Sequence, residues 1–132
     1  MKYYIVIPSY NEEALIGLTL QSLISQTVLP SKIVVVNDNS TDRTAEVVLE
    51  FAKNNPYINL VNKSSENIHL PGSKVIQAFE KGFETLDDNY DLIVKIDADL
   101  IFPTNYFETI IKHFQSDERI GMVGGFCYIE KN

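Results

Sequence analysis

The chain has 132 residues, 45% hydrophobic and 22% charged, enough for one domain with a real core. Eighteen acidic side chains stand against 11 basic ones, for a formal net charge of -7, and no basic stripe is visible, which excludes a nucleic-acid phosphate surface. No apolar run reaches the 18 residues of a membrane-spanning helix.

Tyr3 to Ile7 is a short β-rich run ended by Pro8, the first predicted strand. Asn11 follows as the expected helix N-cap, with Glu12 and Glu13 in the first turn, where the helix dipole favours acids. Ile16, Leu20, Leu23 and Ile24 then recur at helical spacing, and the helix is predicted to stop before Pro30. Ile33 to Val36, a run of β-branched residues, predicts the second strand. It leads into Asn37-Asp38-Asn39-Ser40-Thr41-Asp42, a cluster of turn formers. The second helix is expected to bury Ala45, Val48, Leu49 and Ala52 and to end at Asn54-Asn55-Pro56. Ile58 to Val61 is the third strand.

Asn62 to Ser73 is polar, contains Pro71-Gly72 and reads as a loop, long for a connection inside one domain and of the kind that is usually functional or mobile. Val75, Ala78, Phe79, Gly82, Phe83 and Leu86 give the third helix the clearest period of the chain. Leu92 to Phe102 follows a turn at Asp87 to Asp91 and reads as a buried fourth strand carrying Asp97 and Asp99 near its end. In extended chain those two carboxylates face one side and Ala98 the other. Pro103 is expected to open the fourth helix, with Asn105 and Glu108 spaced as a capping box and Phe107, Ile110, Ile111 and Phe114 inside. Met122 to Ile129 closes the chain as a fifth strand.

Strictly alternating strands and helices predict an α/β domain with a Rossmann-like, mostly parallel sheet and helices on both faces. Ligands of such sheets lie beyond the carboxyl ends of the strands. Three predicted strand ends carry unusual polar density: Pro8 to Glu12, Asn37 to Ser40, and Asp97-Ala98-Asp99. Two adjacent carboxylates repel unless a cation or proton lies between them, and all-oxygen donors suit Mg2+ or Mn2+. In so acidic a chain a phosphate-bearing ligand needs such an ion, or local cations and N–H groups, to offset the bulk field.

The lone cysteine, Cys127, excludes an internal disulfide, suits a reducing compartment and reads as a small buried hydrophobe. The N-terminal run has one positive charge and is broken by Pro8 and the Glu12-Glu13 pair, so it is a poor secretory signal. The triplets Asn39-Ser40-Thr41 and Asn62-Lys63-Ser64 then read as turn chemistry rather than sugar acceptors. The expected location is cytoplasmic, or peripheral at the inner membrane face in a longer parent protein. His69 reads as a loop residue and His113 as a surface one.

Ile7-Pro8-Ser9-Tyr10-Asn11-Glu12, then Val35-Val36-Asn37-Asp38-Asn39-Ser40-Thr41-Asp42, then Ile96-Asp97-Ala98-Asp99, in this order and separation, resemble the inverting family 2 glycosyltransferases. The resemblance covers nearly the whole chain. It implies the A-type glycosyltransferase (GT-A) fold and a nucleotide-diphosphate sugar donor, a UDP-sugar above all. It implies that Pro8, Ser9, Tyr10 and Glu12 pack around the nucleoside and that Asp38 accepts the N–H of the base. Asp99, with Asp97, would hold Mn2+ or Mg2+ on the diphosphate, Asp97 also reaching toward the ribose, and Lys74 would face the phosphates. Asn37 stands where the family often has a second aspartate, and His69-Leu70-Pro71-Gly72 is a looser match to the family's glycine-rich loop.

Members of the family continue well past this length into an acceptor-binding part with an Asp or Glu general base. Here only Glu130 follows the fifth strand as a candidate. The expectation is therefore that residues 1–132 form a single, truncated donor-binding domain without the catalytic base. The parent would be a hexosyltransferase acting on a saccharide or lipid-carrier acceptor. The competing readings are a phospho-accepting receiver module, a sugar nucleotidyltransferase and a non-catalytic nucleotide-binding fragment. The receiver would need an acidic pair after the first strand, where Ser9-Tyr10-Asn11-Glu12 stands, and the nucleotidyltransferase a glycine-rich first loop.

Overall fold

The computed structural model describes residues 1–63, 73–116, 122–123 and 126–130, with residues 73–75 and the last two of these segments described by backbone alone. The elements are β1 (Tyr3–Ser9), α1 (Ile16–Ile24), β2 (Lys32–Asp38), α2 (Thr44–Asn54), β3 (Ile58–Lys63), α3 (Ser73–Glu84), β4 (Leu92–Lys95), α4 (Tyr106–Ser116), β5 (Met122–Val123) and β6 (Phe126–Glu130). The strands lie in the order β3-β2-β1-β4-β6-β5. β1 pairs in parallel with β2 and β4, and β2 with β3, whereas β6 runs antiparallel to both β4 and β5. The chain thus moves outward from β1 to β3 and returns across β1 to form β4. That reversal opens a crevice between the carboxyl ends of β1 and β4, where doubly wound sheets bind ligands.

Both sheet faces are covered, which explains the uninterrupted apolar strands. Tyr3, Ile5, Ile7, Ile33 and Val35 share one core with Ile16, Leu20 and Leu23 of α1, Val48 of α2 and Phe107, Ile110 and Phe114 of α4. Val6, Val34 and Val36 point to the opposite face, against Ala78 of α3. Gly82 lets α3 lie close there: an added Cβ would stand 2.7 Å from Val36 Cγ2 and 2.8 Å from Val6 Cγ1. Buried Gln26 fastens α1 to the segment entering α4. Its amide N–H donates to the Pro103 carbonyl at 2.6 Å, and its Oε1 accepts the Phe107 N–H at 3.1 Å.

Several local expectations are corrected. Asn11 does not cap α1: it adopts a left-handed backbone (φ 50°), α1 begins at Ile16, and Glu12 and Glu13 lie in the preceding turn, not in the helix. The buried stripe of α2 is rotated. Val48 is buried and Val47, Phe51 and Ala52 pack against the core, whereas Leu49 is 50% exposed. β4 stops at Lys95 instead of continuing to Phe102, so Asp97 and Asp99 stand in a turn after the strand. α4 starts at Tyr106, after a turn in which the Pro103 carbonyl accepts the Tyr106 N–H. Glu108 hydrogen-bonds Thr27 and Lys112. The fifth strand is a pair, β5 and β6, whose antiparallel pairing makes one sheet margin non-parallel. The loop residues His69 and Pro71-Gly72 lie outside the described residues, as does the side chain of Cys127.

Candidate functional site

The three polar strand ends meet in one cleft of about 690 Å³. Pro8, Ser9, Tyr10 and Glu12 enter it from β1, Asp38, Asn39 and Thr41 from β2, and Asp97, Ala98 and Asp99 from beyond β4, with Ala78 of α3 closing the wall. Of the residues singled out from the sequence, Pro8, Ser9, Tyr10, Glu12, Asp38, Asp97 and Asp99 are therefore brought together. Lys74 lies in the first turn of α3, and its side chain is outside the described residues. Glu130 pairs with Leu92, at the start of β4, and so belongs to the sheet edge opposite the cleft.

The environments differ from residue to residue. Tyr10 is 58% exposed and offers an open ring face. Ser9 is buried, and its hydroxyl is spent on the Val36 carbonyl at 3.1 Å. Asp38, at the end of β2, is buried beside Lys63, whose Nζ is 3.6 Å from Asp38 Oδ1. Asp97 and Asp99 are exposed while Ala98 is buried, because the Ala98 carbonyl accepts the Thr19 hydroxyl at 2.9 Å and pins the turn to α1. Lys95 Nζ stands 3.9 Å from Asp97 Oδ1. Burial pushes the Glu12 carboxyl above its ordinary range, and the charges of Asp99, Asp42 and Asp97 push it further. The cleft therefore has an excess of negative charge at its β4 side.

A hydrogen-bonded bridge holds the β1 and β2 loops in register. The Asn11 N–H donates to Ser40 Oγ at 3.0 Å, and the Thr41 N–H donates to Asn11 Oδ1 at 2.8 Å. The Glu12 N–H donates to Thr44 Oγ1 at 2.8 Å, and that hydroxyl in turn donates to Asp42 Oδ1. The Glu13 N–H reaches Asp42 Oδ2 at 3.2 Å. Against partial desolvation, these bonds from Thr44 and Glu13 hold the Asp42 carboxyl below its ordinary range. Asn39 at φ 62° shares the left-handed region with Asn11, which Asn tolerates better than other side chains.

Asn11, Asn39, Thr41 and Asp42 enter the sequence reading only as members of its polar motifs, without a site role of their own, and Thr44 and Ala78 do not enter it as site residues. The signal available was the density of Asn, Asp and Thr at both loops. That density predicts turns as readily as a bridge between loops. Ala78 was visible only as a small residue on a helical face.

Residues 4–132 match the family described as Glycosyl transferase family 2. A probable glycosyltransferase of Bacillus subtilis (strain 168), YdaM, is 32% identical over 126 residues, which are 94% of this chain and 29% of YdaM. Chondroitin synthase of Pasteurella multocida (strain Pm70) is 29% identical over 119 residues, 90% of this chain and 11% of the synthase. The chain thus spans less than a third of the length of either relative. Among solved structures, S. aureus TarS 1-349 in complex with UDP-GlcNAc superposes with a TM-score of 0.65 at 25% identity, covering 89% of this chain and 32% of TarS 1-349. The mannosyltransferase PcManGT from Pyrobaculum calidifontis, in complex with GDP-Man and Mn2+, superposes with a TM-score of 0.67 at 23% identity, covering 91% of this chain and 34% of that one. These neighbours have the GT-A fold, and the mostly parallel sheet described above shares it. By the family match over nearly its whole length, the chain belongs to glycosyl transferase family 2.

Proposed function

We propose that this chain is the donor-binding part of a hexosyltransferase that takes a nucleotide-diphosphate sugar, a UDP-sugar above all, and transfers the sugar with inversion to an acceptor hydroxyl. The observation that carries this reading is the meeting of three polar strand ends in one cleft of a family 2 chain. The bound nucleotide sugars of TarS and PcManGT support the donor class. Tyr10 and Pro8 offer apolar surface for the nucleoside, and Asp38 an acceptor for a base N–H. In the transfer, the acceptor oxygen bonds to the anomeric carbon as the bond from that carbon to the diphosphate oxygen breaks, and the acceptor proton passes to a general base. The described residues hold no candidate for that base at the cleft other than the donor-side carboxylates. A cytoplasmic setting accords with the lone cysteine, and no helix among the described residues is long and apolar enough to cross a membrane.

Asp97 and Asp99 fit a hard divalent cation. Both are exposed oxygen donors, and the charge they place on Glu12 is the field a cation would relieve. Among the described residues no three metal-ligating side chains form a cage, which suits an ion held by one or two carboxylates and completed by phosphates and water. Mn2+ or Mg2+, when bound, would neutralise charge on the departing diphosphate. The Mn2+ complex of PcManGT supports this assignment.

Isothermal titration of the chain with UDP and Mn2+ tests the reading. Saturable binding is expected, weakened about tenfold or more by Asp99→Ala. Absence of binding, or binding undiminished by the substitution, contradicts it.

A further inference from the structure

The turn that carries Asp97 and Asp99 owes little of its shape to the sheet or to its own backbone. The β1–β4 pairing runs out at Lys95, after which the Ile96 N–H donates to the Val6 carbonyl at 3.2 Å. Within the turn, the Leu100 N–H reaches the Asp97 carbonyl only at 3.4 Å, longer than an ordinary N–H···O bond. The segment is held instead by a polar stripe that runs along α1 and just past its end, Thr19, Ser22 and Gln26, at the i, i+3, i+7 spacing of one helix face. Thr19 Oγ1 donates to the Ala98 carbonyl at 2.9 Å, Ser22 Oγ accepts the Phe102 N–H at 3.1 Å, and the Gln26 amide donates to the Pro103 carbonyl. Thr19 is fully buried and Ala98 is 4% exposed. A helical threonine can satisfy its hydroxyl on the carbonyl four residues back. Thr19 has that partner in the Leu15 carbonyl at 3.2 Å, yet its hydroxyl lies closer to Ala98, the residue between the two carboxylates.

We propose that Thr19 is a positioning residue of the cation site: by holding the Ala98 carbonyl against α1, it fixes how Asp97 and Asp99 present their carboxylates to a divalent ion. This rests on the reading of that pair as the metal seat. Two like charges on either side of one residue repel, and a turn free to move relaxes by turning them apart. An ion would then have to gather them again, at a loss of affinity that a turn already held avoids. Ser22 holds the exit of the segment at Phe102 and not the peptide between the carboxylates, so its effect on the ion is the smaller.

Two titrations separate this role from a contribution to folding: Mn2+ into the chain with UDP present, and UDP into the chain in a metal chelator. In Thr19→Val, which keeps the shape and removes the hydroxyl, the Mn2+ midpoint is expected to rise about tenfold, the usual effect of losing a partner that orients metal ligands, while UDP binding in the chelator stays unchanged. Thr19→Ser should restore the wild-type midpoint, and Ser22→Ala should move it less than Thr19→Val. Thr19→Ala gives the same reading if Thr19→Val does not fold. An unchanged Mn2+ midpoint in the folded Val or Ala variant overturns the role of Thr19. An equal weakening of UDP binding in the chelator overturns it too, because it marks a bond that only supports the fold. A wild-type chain that binds UDP without any dependence on Mn2+ removes the cation site and the proposal with it, and one that binds no UDP even with Mn2+ removes the donor site as well.

Discussion

Thr44 is fully buried and has a hydroxyl that both accepts from Glu12 and donates to Asp42, so one side chain couples the β1 loop to the start of α2. Thr44→Val keeps the shape and removes the relay, leaving the Glu12 N–H without this acceptor. A loss of about 1–3 kcal/mol is expected in urea unfolding, with most of it regained by Thr44→Ser. An unchanged midpoint in Thr44→Val would show that the bridge is not what orders the loop. At the opposite end of the sheet the Tyr4 hydroxyl donates to Asp87 Oδ1 and Lys32 Nζ to Asp87 Oδ2, at 2.6 and 2.7 Å. Those bonds hold the Asp87 carboxyl far below its ordinary range, while burial and then the Asp87 carboxylate push the Tyr4 phenol up to about 12. The signs are opposite. Stability from Asp87 is present above its unfolded value of about 4 and is lost as pH falls toward the folded one. Stability from Tyr4 is full below about 10 and is lost as pH rises from there to about 12. Melting temperature against pH should accordingly show a shallower acid limb in Asp87→Asn and a shallower alkaline limb between pH 10 and 12 in Tyr4→Phe, each relative to wild type. Parallel curves for either variant would contradict the assignment.

At the scale of elements, the approach of α3 to the sheet depends on Gly82. Gly82→Ala would place a methyl against the branched side chains of Val6 and Val36, which are buried and cannot swing away. The helix gains propensity from alanine but pays about 1–3 kcal/mol in overpacking, so thermal unfolding should shift downward. An unchanged or raised midpoint would mean that α3 adjusts freely. The elements themselves were legible where one physical cause dominated. Ile33 to Val36 reads as a strand because both of its faces are buried, and α3 reads as a helix because one stripe is apolar. Legibility failed where the same residue chemistry serves two ends. Asn11 looks like a cap, yet its amide oxygen is needed by the Thr41 N–H across the cleft mouth. Ile96 looks like strand, but β4 is cut short after Lys95, and its antiparallel pairing with β6 covers only Leu92 to Val94. Leu49 was misplaced because α2 is set by its packing on α1, where Val47 and Phe51 approach Gly17.

For the molecule as a whole, the topology explains why residues distant in sequence act together. Parallel β1, β2 and β4 put their carboxyl ends on one edge, and the return from β3 across β1 opens the crevice between them. Seven of the eight site residues expected from the sequence line that one cleft, because strand polarity alone decides which loops meet. The bridge of Asn11, Thr41, Asp42 and Thr44, by contrast, depends on how two loops fold against each other, a non-local fact that no spacing encodes. The proposed function requires these three strand ends to form one donor site. Amide chemical-shift mapping by NMR on titration with UDP and Mg2+ tests it most directly. The predicted result is a saturable set of shifts concentrated at residues 9–12, 38–41 and 97–99, with the Asp87–Asp91 turn at the far edge unmoved. Shifts confined to one of the three strand ends, or centred on the far edge, would contradict it.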